Sequence, residues 1–193
     1  MRLFVAIDIP EEVKARLEAF VHTLRPTAKL SWSPVHNLHV TTKFIGEWPE
    51  GKLGEIEHAL AAMPAPGPVE IAVRGLGWFP NERNPRVFWA GIEAGESLRK
   101  LAGHTERVLA ELGVPVEDRG FHPHLTLARR RTPVPLDSLR QALAAGESDP
   151  SNHSSPARKG GGYEFGSFQA ASFFLYLSRG GKYTRLREFS LIL

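Results

Sequence analysis

The chain alternates short apolar runs, which are typical of β-strands, with segments whose apolar residues recur every three or four positions, as in amphipathic helices. The run "LFVAIDI" over 3–9 predicts a buried strand, and the "PEE" that follows it is a typical helix start. A second strand, "LHVTTKFI", is predicted over 38–45, and a second helix over about 49–62. The segments 69–79 and 86–93 flank "PNERNP" and predict a β-hairpin. The predicted order is strand, helix, strand, helix, hairpin.

This order of elements then repeats. The run "VFWAGIE" can open a second unit, followed by a helix over about 96–112, the strand "HLTLAR" and a helix over about 136–145. The segments "SFQAASFFLYLS" and "YTRLREFSLIL" flank "RGGK" and predict a closing hairpin. The sequence therefore predicts one domain over 1–193 with an internal duplication, approximately 1–92 and 86–193.

The spacing of two residue pairs supports the duplication. Phe4 precedes His39 by 35 residues, and Phe88 precedes His124 by 36. The two units can therefore be aligned in sequence with an offset of about one residue, and their histidines occupy equivalent positions.

One segment, "AAGESDPSNHSSPARKGGG" over 144–162, breaks the parallel between the units. Its Gly, Ser, Pro and Asn content predicts a flexible surface loop over about 146–162. We interpret this loop as an insertion, although a flap over a site would have the same composition.

Composition places the chain among ordinary globular proteins. It has 193 residues, 42% of them hydrophobic, which is enough for a core of ordinary size. It has no cysteine, which excludes disulfides and zinc-cysteine sites and fits a reducing compartment. The N-terminus does not look like a signal peptide, and no stretch approaches the ~18 apolar residues of a membrane span. We therefore expect a soluble cytoplasmic protein with no membrane partner. A duplicated, two-lobed chain of this size needs no partner subunit, so we also expect a monomer.

Charge is distributed unevenly along the chain. The net charge is +3, but residues 1–118 contain 13 Lys and Arg against 16 Asp and Glu, whereas residues 119–193 contain 11 against 5. This asymmetry indicates an anionic partner met by the C-terminal elements, although solvated arginine-rich faces would produce it too.

The two histidine strands carry the candidate chemistry. Side chains alternate along a strand, so His39 and Thr41 share one face, and His124 and Thr126 do the same in the second unit. Two imidazoles can supply a base and an acid near neutral pH, and two hydroxyls can donate to phosphate oxygens. In-line displacement at phosphorus needs these groups. A single H-x-T strand usually holds an ordinary half-buried histidine, but two copies at equivalent positions point to phosphodiester chemistry without a metal or cofactor.

The stretches "FVAIDIP", "LHVTTKFIGEW" and "FHPHLTLARR" together resemble the two-histidine (2H) phosphoesterase superfamily. The resemblance is greatest to its bacterial and archaeal RNA 2',3'-cyclic phosphodiesterases, also called 2'-5' RNA ligases, and spans nearly the whole chain. It implies a bilobal α+β fold with pseudo-two-fold symmetry. Each lobe would be a mostly antiparallel sheet with outer helices, and the H-x-T strands would face a central cleft.

The resemblance also implies roles for individual residues. His124 would accept a proton from water and His39 would donate one to the departing O3', giving a 2'-phosphate at an RNA end. Thr41 and Thr126 would hold the non-bridging oxygens. The symmetry leaves the acid and base labels interchangeable at this level. Arg129 falls where the family pattern places a phosphate-binding arginine, but strand parity puts it on the opposite face from His124 unless the strand ends or twists.

Three other residues lie near the motifs. Parity places Lys43 on the face of His39, where it could add positive charge or simply lie on the solvated surface, and Thr42 on the core side. His122 and His124 have the spacing of a metal-ligand pair, yet Pro123 marks a strand entrance and no acidic residue follows at ligand spacing. We therefore expect no metal site, and expect His122 to shape the rim of the cleft or to take part in substrate binding.

Two further functions remain compatible with the sequence. The reverse reaction would join a cyclic phosphate end to a 5'-hydroxyl as a 2'-5' linkage, but water at roughly 55 M outcompetes a hydroxyl that is not well positioned. A non-catalytic RNA-binding module could use the basic C-terminal half instead. Hydrolysis of RNA ends is the favoured prediction.

Overall fold

The computed structural model describes residues 1–118, 120–146, 158–159 and 162–192. Over these residues the fold is α+β, with two antiparallel sheets and four α-helices. The elements in chain order are β1 (Arg2–Asp8), α1 (Glu11–Leu24), β2 (Ser31–Trp32), β3 (His39–Glu47), α2 (Leu53–Ala61), β4 (Val69–Phe79), β5 (Val87–Ala94), α3 (Glu96–Glu111), β6 (His124–Arg129), α4 (Asp137–Gly146), β7 (Arg158–Lys159), β8 (Gly162–Ala170), β9 (Ser172–Arg179) and β10 (Lys182–Ser190). The fold class predicted from the sequence is confirmed.

The two sheets draw strands from both ends of the chain. The first sheet has the order β10-β9-β1-β3, and the second has the order β2-β6-β5-β4-β8-β7. The closing hairpin β9-β10 therefore completes the sheet that the N-terminal strand begins, while β4 pairs with β5 in the sheet of β6. The two H-x-T strands, β3 and β6, belong to different sheets, and their Cα atoms approach within 8 Å.

One predicted strand is wrong. The apolar run over 167–178 was expected to form one strand of the closing hairpin, but it is divided at Ala171 between β8 and β9. β8 pairs with β4 in the second sheet, and β9 pairs with β1 in the first. The run therefore connects the two sheets. Most of the predicted loop, residues 147–157 and 160–161, lies outside the described residues.

The helix ends follow local sequence signals. Pro10 precedes α1, whose first turn contains Glu11 and Glu12, where negative charge is favourable to the helix dipole. Gly113 follows the end of α3 with φ of 87°, a left-handed conformation that glycine adopts without strain. None of the helices among the described residues is both long enough and apolar enough to cross a membrane.

A large apolar core covers one face of each sheet. In β1 the residues at odd positions, Leu3, Val5 and Ile7, enter this core together with the apolar faces of α1 and α3. At even positions, Phe4 and Ala6 form a separate small cluster with Tyr176 of β9. The first sheet therefore has two occupied faces, and the smaller cluster lies on the second one.

Candidate functional site

His39 is the first residue of β3 and lies on the face of the small aromatic cluster. It pairs with Asp8 across β1 and β3, and its ring stacks on Phe4 with the centroids 4.6 Å apart. The ring of Tyr183 approaches edge-on at 5.2 Å. His39 is half-buried, and this burial lowers the pKa of its imidazole, while the hydrogen bond to the carbonyl of Asn37 and the charge of Asp8 act in the opposite direction.

His124 is the first residue of β6 and has an equivalent setting in the second sheet. It pairs with Gly91 of β5, and its ring lies edge-on to Phe79 at 4.9 Å. Burial lowers the pKa of the imidazole, and the positive charges of Arg129 and His122 lower it further, against the effect of a backbone hydrogen bond.

Both imidazoles are oriented by the same short contact. Nδ1 of His39 lies 2.7 Å from the carbonyl oxygen of Asn37, and Nδ1 of His124 lies 2.8 Å from that of His122. A carbonyl oxygen can only accept, so each Nδ1 carries the proton and donates it. In the neutral ring, Nε2 is then the unprotonated nitrogen and is available as a base; in the charged ring, it carries a transferable proton. The sequence separation of two residues fixes the same tautomer at both sites.

A β-bulge follows each H-x-T triplet. In β3 the register against β1 shifts at Thr42, and both Thr42 and Lys43 are buried although they are neighbours in a strand. In β6 the register against β5 shifts at Leu127, and both Leu127 and Ala128 are buried. The extra residue reverses the alternation of side chains beyond it.

This reversal determines where the residue five positions after each histidine lies. Arg129 is exposed on the face of His124 and Thr126, so the strand parity used in the sequence analysis does not hold beyond the bulge. In β3 the equivalent residue is Phe44, which pairs with Phe4 on the face of His39 and is 61% exposed. An arginine therefore occurs beside one histidine and an aromatic ring beside the other.

The prediction that Lys43 lies on the face of His39 is wrong for the same reason. Its side chain is 4% exposed, and the ammonium group donates to Glu106 Oε1 of α3 and to the carbonyl of Pro115, each at 2.6 Å. Thr42 points into the core as predicted, where its hydroxyl donates to the carbonyl of Val5 at 3.2 Å.

The sequence analysis missed a polar cluster beneath His39. Asp8 Oδ1 accepts a hydrogen bond from the Tyr176 hydroxyl, and Asp8 Oδ2 forms an ion pair with Arg185 of β10. Nε of Arg185 donates to the same Tyr176 oxygen at 3.0 Å. Alternation in β1 already places Asp8 on the face of Phe4 and Ala6, so its position was predictable, but its partners depend on the pairing of β9 and β10 with β1.

A cavity of about 270 Å³ borders the entrance of β6. It is lined by Phe121, His122 and Pro123, by the end of β5 from Ile92 to Ala94, and by Gly95, Leu98 and Arg99 at the start of α3. It lies beside the histidine strand and does not enclose His124. The side chain of His122 is exposed and lines this cavity; its place at the rim of a cleft between the two histidine strands stays a prediction. Within residues 1–118, 120–146, 158–159 and 162–192, no group of three or more acidic, histidine or cysteine side chains could hold a metal ion.

Comparison with known proteins gives consistent matches over most of the chain. A family model described as LigT like Phosphoesterase matches residues 7–89 and 92–154. A curated RNA 2',3'-cyclic phosphodiesterase of Thermus thermophilus is 43% identical over 145 residues, covering 70% of this chain and 71% of the relative. Another, from Archaeoglobus fulgidus, is 34% identical over 143 residues, covering 73% of this chain and 80% of the relative.

Solved structures match over nearly the whole chain. The crystal structure of a Thermus thermophilus protein has a TM-score of 0.73 at 34% identity and covers 99% of this chain and 98% of its own. The crystal structure of E. coli LigT complexed with 3'-AMP has a TM-score of 0.70 at 23% identity, with 98% and 97% coverage, and this match concerns the fold alone.

Proposed function

This chain belongs to the LigT-like phosphoesterase (2H phosphoesterase) family, and we propose that it hydrolyses 2',3'-cyclic phosphate ends of RNA to 2'-phosphates. The observation that carries the proposal is the matched setting of His39 and His124. Each ring donates from Nδ1 to the carbonyl two residues before it, which leaves Nε2 for proton transfer, and each has a threonine on the same face of its strand.

In this mechanism the two histidines exchange one proton each with the reacting oxygens. Nε2 of His124 accepts a proton from water as the water oxygen forms a bond to phosphorus. The bond from phosphorus to O3' breaks, and O3' takes the proton from Nε2 of His39. The hydroxyls of Thr41 and Thr126 donate to the non-bridging oxygens, and Arg129 adds positive charge to the phosphate. The product keeps the phosphate on O2', and a proton transfer between the imidazoles through solvent restores the starting state.

The charges around the two rings support this assignment of acid and base. His39 has the carboxylate of Asp8 beside it, which stabilises an imidazolium. His124 has Arg129 and His122 beside it, which favour a neutral ring. Pseudo-symmetry alone leaves the roles interchangeable, whereas these neighbours favour His39 as the donor and His124 as the acceptor.

The proposed substrate is an RNA end, and the proposed setting is a monomer in the cytoplasm. The named activity of the curated relatives supports the substrate class, and the excess of basic residues over 119–193 supports an anionic partner. The absence of cysteine fits a reducing compartment.

A direct assay tests the proposal. The protein is incubated with a nucleoside 2',3'-cyclic phosphate in EDTA, and the product isomer is read by phosphorus NMR. We expect a 2'-phosphate, and a loss of about 10²- to 10⁴-fold in kcat for His39→Ala and for His124→Ala. His36→Ala is the matched control, because His36 is exposed and precedes the same strand. Turnover that requires added metal would contradict the mechanism, and a 3'-phosphate product would reverse the leaving group.

A further inference from the structure

The geometry points to Asp8 as a positioning residue that, held by Tyr176 and Arg185, favours the proton-donating form of His39. This inference rests on the proposed function, because it concerns how one of two similar histidines becomes the acid. It adds three residues, from β1, β9 and β10, to the machinery of the reaction.

Strand pairing places the carboxylate next to the ring. Asp8 and His39 are directly opposite each other in the β1-β3 ladder, and directly paired residues have Cβ atoms about 5 Å apart on one face of a sheet. At this separation an opposite charge favours the charged form of a titrating group. Asp8 therefore acts against the burial that lowers the pKa of His39.

The carboxylate is held in place on both oxygens. The Tyr176 hydroxyl donates to Oδ1 and the Arg185 guanidinium pairs with Oδ2, while Arg185 also donates to the Tyr176 oxygen. Burial and the bond to Asp8 raise the pKa of Tyr176, so the hydroxyl stays a donor throughout the working range. Arg185 stacks over Phe174, with its guanidinium carbon 4.7 Å from the ring centroid. This contact fixes the position of Arg185.

Charged and titratable groups face His39 from three strands. β1 provides Asp8, β9 provides Tyr176, and β10 provides Tyr183 and Arg185. The Asp8 side chain is 21% exposed and that of Arg185 is 58% exposed, so water screens the cation more than the carboxylate. The net influence of the cluster on the ring is therefore that of a negative charge.

The second site cannot hold an equivalent carboxylate. The residue opposite His124 is Gly91, and a Cβ at this position would lie 2.5 Å from the backbone oxygen of Arg74. No side chain fits there without displacing a neighbouring strand. Among the described residues, a carboxylate is therefore paired across the strands with His39 and not with His124, so the two similar sites differ in charge.

The test measures the protonation of His39 directly. The ring resonances of His39 and His124 are followed by NMR across pH in the protein without substrate. For Asp8→Asn we expect the pKa of His39 to fall by about 1 pH unit with that of His124 unchanged. Asp8→Glu should restore most of the wild-type value. For Arg185→Gln the pKa of His39 should rise, because the carboxylate loses its neutralising cation.

A matched control separates charge from folding. Glu57 pairs with Arg187 of β10 at 3.3 Å, so Glu57→Gln removes an ion pair from the same strand at a distance from the ring. It should leave the pKa of His39 unchanged. In the pH profile of kcat/KM, Asp8→Asn should move the alkaline limb to lower pH by the shift seen in the NMR titration.

Two outcomes are decisive. If Asp8→Asn lowers activity while the His39 titration stays at the wild-type position, Asp8 is only structural and the inference is overturned. If the wild-type protein turns over no cyclic phosphate but the titration shifts as expected, the proposed reaction fails and the electrostatic role of Asp8 stands.

Discussion

Thr42 and Lys43 are consecutive residues of one β-strand, and both of their side chains are buried. The bulge that allows this recurs in β6 after His124-x-Thr126. It returns the fifth residue after each histidine to the face of that histidine. Each site is therefore built by a histidine, a threonine and a residue that simple alternation would place on the other side of the sheet.

The neighbours Thr41 and Thr42 allow a matched pair of substitutions. Thr41 shares the face of His39, and Thr42 points into the core and donates to Val5. We expect Thr41→Val to lower kcat by about 10²-fold, because it removes a donor to the phosphate. Thr42→Val should leave kcat unchanged and cost about 1 kcal/mol of the free energy of unfolding through the lost hydrogen bond. Steady-state kinetics measures kcat, and urea unfolding measures stability, for both variants. If Thr42→Val lowered kcat as much as Thr41→Val does, the Thr41 hydroxyl would not be the group that holds the phosphate.

Arg129 is expected to contribute to catalysis, whereas Arg131 is not. The bulge brings Arg129 to the face of His124, and Arg131 is an exposed residue beyond the strand. Arg129→Ala should lower kcat/KM by about 10²-fold, because it removes a positive charge that stabilises the negative charge developing on the phosphate oxygens in the transition state. Arg131→Ala should have less than about a twofold effect at moderate salt, where an exposed charge is screened. Similar losses in both variants would assign Arg129 to general attraction of RNA.

The sequence predicted the elements well and the details of the site less well. Strand β3 was expected over 38–45 and is His39–Glu47, because the alternation of side chains is a local signal; Gly46, which was expected to follow the strand, lies inside it. The face of Lys43 was wrong, because a bulge depends on the register against a second strand. The break at Ala171 was missed, because the apolar run across it contains no glycine, proline, asparagine or aspartate. The partners of Asp8 could not be predicted, because they come from β9 and β10, which are distant from β1 in the sequence.

The buried pair of Lys43 and Glu106 should support stability without affecting turnover. Glu106→Gln leaves the ammonium group of Lys43, whose side chain is 4% exposed, without its counter-charge, and we expect a loss of about 3 kcal/mol in the free energy of unfolding. Lys43→Met should cost less, about 1 kcal/mol, because the remaining carboxylate is 26% exposed and still accepts the Glu117 amide at 3.0 Å. Urea unfolding gives both values, and kcat is the control. A larger loss of unfolding free energy in Lys43→Met than in Glu106→Gln would mean that an unpaired Glu106 carboxylate destabilises the fold more than an unpaired Lys43 ammonium group does.

The pH profile of kcat/KM should have an optimum on the acid side of neutrality. His124 must be neutral, so activity rises with pH through its pKa, which burial lowers below the ordinary 6.5. His39 must be protonated, so activity falls as pH rises through its pKa, which burial also lowers from 6.5. Both limbs therefore lie below about pH 6.5, and kcat/KM should already decline between about pH 7 and about pH 8. Thr41→Val is the control, because it should lower the whole profile without moving either limb. An optimum above about pH 8 would show that at least one of these imidazoles is not the group that transfers the proton.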